Sequence, residues 1–113
     1  MFTILNVGLK EYKLYLPAAQ AVQLEKQLGG MNPVMVLMEM ERSGSFPQIT
    51  SLLQILHASL QQFNHGTNFN QTLAIYDEFV AEGGNVVELI KVLMEVFQKA
   101  GFFPKGTTEG TNA

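Results

Sequence analysis

Two imidazoles and a short run of carboxylates are the side chains here best suited to proton transfer or metal binding. His57 sits in ILHASLQ, one residue past Leu56 at the edge of an apolar helical face. A general base needs a nucleophile or a polar partner, yet the chain has no cysteine and places no Ser or Asp at a motif spacing from His57. A satisfied, half-buried structural histidine is the expectation. His65 lies in Asn64-His65-Gly66 at the end of the same helix, where the macrodipole favours partial positive charge and suggests a capping role. Asp77 and Glu78 are adjacent, so on a helix they diverge by about 100°. With Glu82 they read as a solvated acidic face. A calcium loop would spread oxygen ligands through an irregular segment, and none is present. Gly29-Gly30 and Gly83-Gly84 lack the spacing and the strand-to-helix setting of phosphate loops. A small hydrolase or metal enzyme using His57 with Asp77 or Glu78 would rest on residue availability alone. The sequence points to no catalytic, cofactor-binding or metal-ligating residues.

Composition narrows the partners. The 113 residues suffice for one domain with a real core, and 47% hydrophobic content fits a folded globule. A net charge of -3, with seven basic residues scattered from Lys10 to Lys105, argues against nucleic acid, which needs clustered Lys and Arg. The absence of cysteine excludes disulfides and thiolate chemistry. Met1 leads straight into an alternating segment without a secretory pattern, and no run reaches the roughly 18 apolar residues of a membrane span. Cytoplasm is the expected compartment.

The elements that must position any site follow from periodicity. Residues 2–16 predict a β-hairpin: FTILNV is rich in β-branched and apolar residues, Gly8 supplies a turn, and YKLYL alternates with period two. Tyr12, Leu14 and Leu16 share one face. Two strands alone are marginal in water, so the hairpin must lie on helices or complete a sheet in another subunit. Helices are expected at about 17–28, 33–41, 47–64, 69–82 and 86–100. Pro17 suits a first helical turn, Asn32-Pro33 is a start signal, and glycines supply the exits. Ser45 with Gln48, Asn68 with Gln71, and Asn85 with Glu88 have capping-box spacing. Gly83-Gly84 leads directly into the next cap, which suggests that helices four and five form a hairpin-like pair. Phe102-Phe103-Pro104 is an apolar landing segment, and 104–113 reads as a polar, disordered tail. The class is mainly α, an N-terminal β-hairpin followed by about five helices in a single domain over 1–103.

Two helices carry more apolar surface than expected. From Val86 to Phe97 only Glu88, Lys91 and Glu95 are polar, a stripe too narrow for an ordinary surface helix. Such a helix must be wrapped by its own domain, by a second copy, or by a partner. The second helix concentrates Met35, Met38 and Met40, which either fill core gaps or form an adaptable docking surface. Met35, Met38, Val86, Ile90, Leu93 and Phe97 are the candidate partner-binding residues on this apolar excess, for a client or for self-association.

The segments LLQILHASLQQFNHG, IYDEFVAEGG and LIKVLMEVFQKAGFF, with GLKEYKLYL and AVQLEKQLGG before them, carry a resemblance over residues 2 to 103. ILHASLQ, the YDEF-x-x-EGG exit and the closing GFF are its most specific parts. Together they resemble the small tail assembly chaperones of long-tailed (siphovirus-type) phages and prophages of Gram-positive bacteria. The resemblance implies a non-enzymatic protein without cofactors that coats the apolar, helical tape measure protein in the host bacterial cytoplasm. Such a protein is released as the tail tube assembles and is absent from the mature virion. It also implies a longer form, made by ribosomal frameshifting near the end of the reading frame, that recruits the tail tube protein. Phe103-Pro104-Lys105 permits the codons TTC CCA AAA, which contain a slippery heptamer. The alternative expectation is a head–tail connector, neck or other tail-associated protein that stays in the virion.

Overall fold

A two-residue turn at Gly8-Leu9 joins strands β1 (Thr3–Val7) and β2 (Lys10–Leu14) into an antiparallel hairpin, in register Thr3↔Leu14, Leu5↔Tyr12 and Val7↔Lys10. Gly8 takes φ +62° at the first central position, a backbone geometry that glycine adopts without strain and that matches the strand twist. The computed structural model describes residues 1–103, apart from the side chains of Met40 and Glu41. Five helices follow the hairpin: α1 (Ala18–Gln27), α2 (Pro33–Ser43), α3 (Ile49–Leu60), α4 (Phe69–Ala81) and α5 (Val86–Lys99). The expected class and element order hold. The polar tail expected at 104–113, and with it most of the Phe103-Pro104-Lys105 codon site, lies outside the described residues.

The hairpin lies on helices of its own chain. Its inner face carries Thr3, Leu5, Val7 and Leu14, all buried, with Tyr12 half-buried beside them. β1 packs against α4 and α5 while β2 packs against α3. The backbone N–H of Tyr15 donates to the Ser59 carbonyl at 3.0 Å, and Asn64 Nδ2 donates to the Lys13 carbonyl at 3.1 Å. On the outer side Lys13 Nζ stands 4.8 Å from the Phe2 ring centroid and 5.8 Å from that of Phe63, a cation–π clamp on the α3 exit. These contacts supply the support that an isolated hairpin lacks.

One cluster forms the core, with α3 at its centre, touching α1, α2, α4, α5 and β2. Leu52, Ile55, Leu56 and Leu60 are fully buried, as the i, i+3, i+4 pattern requires. Ser59, also buried, returns its hydroxyl hydrogen to the Ile55 carbonyl at 2.8 Å. The half-buried Phe102 and Phe103 cover the end of the core, with the Phe102 ring 5.1 Å from that of Phe97.

Local start signals mostly decide the helix boundaries. Asn68 and Gln71 form the full capping box, each side chain bonding the other's backbone N–H at 2.7 and 2.9 Å. Asn85 Oδ1 accepts from the Glu88 N–H at 3.0 Å, and Asn32 Oδ1 from the Val34 N–H at 2.9 Å. The Ser45–Gln48 box does not form. Helix α3 begins at Ile49 with Gln48 extended at its N-terminus and no side-chain cap. A Ser45 cap would put Phe46 in a helical conformation directly before Pro47, which the proline ring disfavours. The hairpin-like pairing of helices four and five is also replaced. α4 packs on α3 and β1, whereas α5 packs on β1, α2 and α3, so the two diverge from Gly83-Gly84 around the same strand. Gly84 makes this exit possible. Its N–H donates to the Phe79 carbonyl at 2.8 Å, and a Cβ there would lie 2.5 Å from the Phe79 ring.

Candidate interaction surface

The six residues expected to meet a partner separate in the fold. Leu93 and Phe97 are fully buried, Ile90 is 5% exposed, and Val86 is half-buried at the start of α5. Of the three ways to cover this apolar helix, its own domain does so: β1, α2 and α3 wrap it, leaving Glu88, Lys91, Glu95, Gln98 and Lys99 as the wet stripe, with Val87 exposed at its N-terminal end. Lys99 closes that stripe, donating to the Phe2 carbonyl at 2.8 Å and pairing with Glu95 at 2.9 Å. Met35 and Met38 behave differently. They are 46% and 39% exposed on the outward face of α2, while Val34, Val36 and Leu37 turn into the core. Filling of core gaps is therefore not their role.

The exposed methionine face opens onto a groove of about 780 Å³ between α1, α2 and the start of α3. Its size falls within the range of small-ligand clefts. Two breaks in the chain create it. Gly29-Gly30 ends α1 and leaves Met31 in the short connection before the Asn32 cap. The second break follows α2, where the Ser43 hydroxyl donates to the Glu39 carbonyl at 2.8 Å and accepts from the Ser45 N–H at 3.3 Å. The chain then runs through Phe46 and Pro47 before α3 can start. Leu28, Met31, Met35, Val36 and Phe46 supply apolar lining, and Gln48, Thr50, Ser51 and Gln54 supply a polar wall along α3. Met31 is 51% and Phe46 60% exposed.

Glu39 and Arg42 pair at the groove's edge, one helical turn apart. The hydrogen bond to Glu39, reinforced by its charge, holds the Arg42 guanidinium above its ordinary pKa. Periodicity could not reveal Met31 and Phe46 as lining residues, because both sit in connections. The pre-proline position of Phe46 was the available signal, since it forces extended backbone and displays the side chain.

The residues with chemical potential do not converge. His57 is half-buried, its ring edge-on to Phe69 at 6.1 Å. His65 is exposed, and the bonds closing its turn come from Asn64 and Thr67. Glu78 pairs with Lys10 at 3.4 Å, Asp77 is exposed, and Glu82 lies against Gly8 at the hairpin tip. Among the described residues no group of three or more His, Cys, Asp or Glu side chains is placed to hold a metal ion. Among them, too, no helix is long and apolar enough to cross a membrane.

No curated protein and no solved structure matches this chain. A match to one family extends over residues 2–113, through the hairpin, all the helices and the groove. The chain belongs to that family, described as a family of unknown function (DUF6096).

Proposed function

We propose that this protein is a tail assembly chaperone of a siphovirus-type phage or prophage, which holds apolar helices of the tape measure protein in solution until the tail tube forms. The observation that carries this reading is the open, methionine-lined groove between α1, α2 and α3. An amphipathic helix laid in such a groove buries its apolar stripe against Met31, Met35 and Phe46 and turns its polar flank toward the Gln48–Gln54 wall. Unbranched thioethers repack against successive client segments of differing shape, which suits a protein that must coat a long rod with many copies. The resemblance in ILHASLQ, YDEF-x-x-EGG and GFF supports the same reading. In it the protein acts in the host bacterial cytoplasm, uses no cofactor and leaves before the virion is complete. A frameshifted longer form contacts the tail tube protein.

Co-expression with the tape measure protein of the same phage tests the proposal. The expected outcome is a soluble complex that the double substitution Met35→Asp with Phe46→Asp abolishes while circular dichroism keeps its helical amplitude. A tape measure protein that stays soluble alone and ignores this chain overturns the reading. Mass spectrometry of purified virions adds a second measurement, with absence of the chain expected and stoichiometric presence favouring a connector or neck role. Sequencing of the gene decides the longer form, since codons other than TTC CCA AAA at Phe103-Pro104-Lys105 remove that slip site.

A further inference from the structure

Most of the described methionines lie outside the core. Its buried cluster is built of Leu, Ile, Val, Phe and Ala, whereas Met31, Met35 and Met38 are exposed, as is Met1 at the start of the chain, and Met94 is half-buried on α5. Met31 and Met35 line the groove, and Met38 lies one turn further along the outward face of α2. The chain has no cysteine, so thioethers are its readily and reversibly oxidised side chains. Among the described methionines Met94 alone packs against the core, and Met31, Met35 and Met38 stand apart from it. Oxidation can therefore change the groove without entering the core.

We propose that Met31, Met35 and Met38 form a sulfoxidation site, through which a peroxide switches the groove from apolar to polar. The role of this switch in releasing a client rests on the groove being the seat for apolar helices. In the reaction a thioether sulfur attacks one oxygen of hydrogen peroxide. The S–O bond forms as the O–O bond breaks, and sulfur gives two electrons to the peroxide. The proton on the transferred oxygen passes to the departing hydroxide, which leaves as water. The product sulfoxide is polar and chiral, and methionine sulfoxide reductases restore the thioether. A sulfoxide held against an apolar stripe without a donor weakens the contact, while in the empty groove the same oxygen faces water. Sulfoxidation then disfavours the occupied state and leaves the fold intact.

Peroxide titration of the purified chain tests this, with peptide mapping of each methionine, circular dichroism, and binding of a fluorescent hydrophobic dye. Met31, Met35 and Met38 are expected to oxidise ahead of Met94 at unchanged helicity, and dye affinity is expected to fall about tenfold. The triple variant Met31→Leu, Met35→Leu, Met38→Leu keeps near-native volume and apolarity, and its dye binding is expected to resist peroxide. Oxidation of Met94 at the same rate, loss of helicity at the same dose, or dye binding that ignores oxidation overturns the proposal. So does a leucine variant that remains peroxide-sensitive. Because every readout uses the isolated chain, failure to bind a tape measure protein leaves this result standing and counts against the functional reading alone.

Discussion

Helices α2 and α5 carry the candidate partner-binding residues, yet the fold uses them in opposite ways. α5 offers Leu89, Ile90, Leu93, Val96 and Phe97 along one face, and three elements close over it. α2 sends Val34, Val36 and Leu37 inward but leaves Met35 and Met38 in solvent beside an open groove. The difference lies in side-chain type as well as position. Branched and aromatic side chains with few rotamers fill the close-packed interior, whereas flexible thioethers stand where no fixed neighbour meets them. Apolar content alone does not tell a core helix from one with an open apolar face.

Truncation of one side chain on each helix gives the widest separation. Phe97→Ala removes a fully buried ring at the contact with Phe102 and is expected to cost about 3–5 kcal/mol in denaturant unfolding. Met35→Ala removes a half-exposed side chain and is expected to cost less than about 1 kcal/mol. Comparable losses at the two positions would mean that the α2 face is covered in solution, and the comparison would fail.

A smaller effect is expected where the chain turns into α5. Gly84→Ala places a Cβ 2.5 Å from the Phe79 ring, which itself is buried, so ring or backbone must shift. Overpacking of this kind costs about 1–3 kcal/mol. Pairing the change with Phe79→Leu relieves the overlap, and recovery of part of the loss in that double variant identifies the clash as its cause. Equal destabilisation with and without the ring would place the cause elsewhere.

The parts of the fold legible in the sequence are those decided within a few residues. Gly8 between two alternating segments specifies the hairpin, and Asn68 with Gln71 specifies a helix start, because both act through local backbone geometry. The same local logic applied to Ser45 fails through a competing local term, the restriction that Pro47 places on Phe46. Burial is decided at long range. Nothing between Val86 and Phe97 reveals that β1, some eighty residues earlier, covers that face and also separates α5 from α4. The candidate groove was half legible for the same reason. Met35 and Met38 stand out by composition, while Met31 and Phe46 join them only because two chain breaks bring the connections together.

The smallest effects separate the helices by cooperativity. Asn85 and Asn32 each cap a helix with one side-chain bond, at 3.0 Å to the Glu88 N–H and 2.9 Å to the Val34 N–H. Replacing either by Ala is expected to remove about 1 kcal/mol of local helix stability. Since α5 seats Leu89, Leu93, Val96 and Phe97 at the centre of the core, it opens only when the domain opens, so Asn85→Ala should lower global stability by that amount and leave its amides exchanging with the last of the core. α2 has one face against α1, α3 and α5 and the other in solvent, which permits it to open by itself. Asn32→Ala should then speed amide exchange in α2 while exchange in α3 and α5 holds near its native rate. Protection of α2 at the level of the global unfolding free energy, in both the native chain and this variant, would make α2 as much a part of the core as α5. An adaptable docking face needs the first result: a helix anchored on one side that can adjust without unfolding its neighbours.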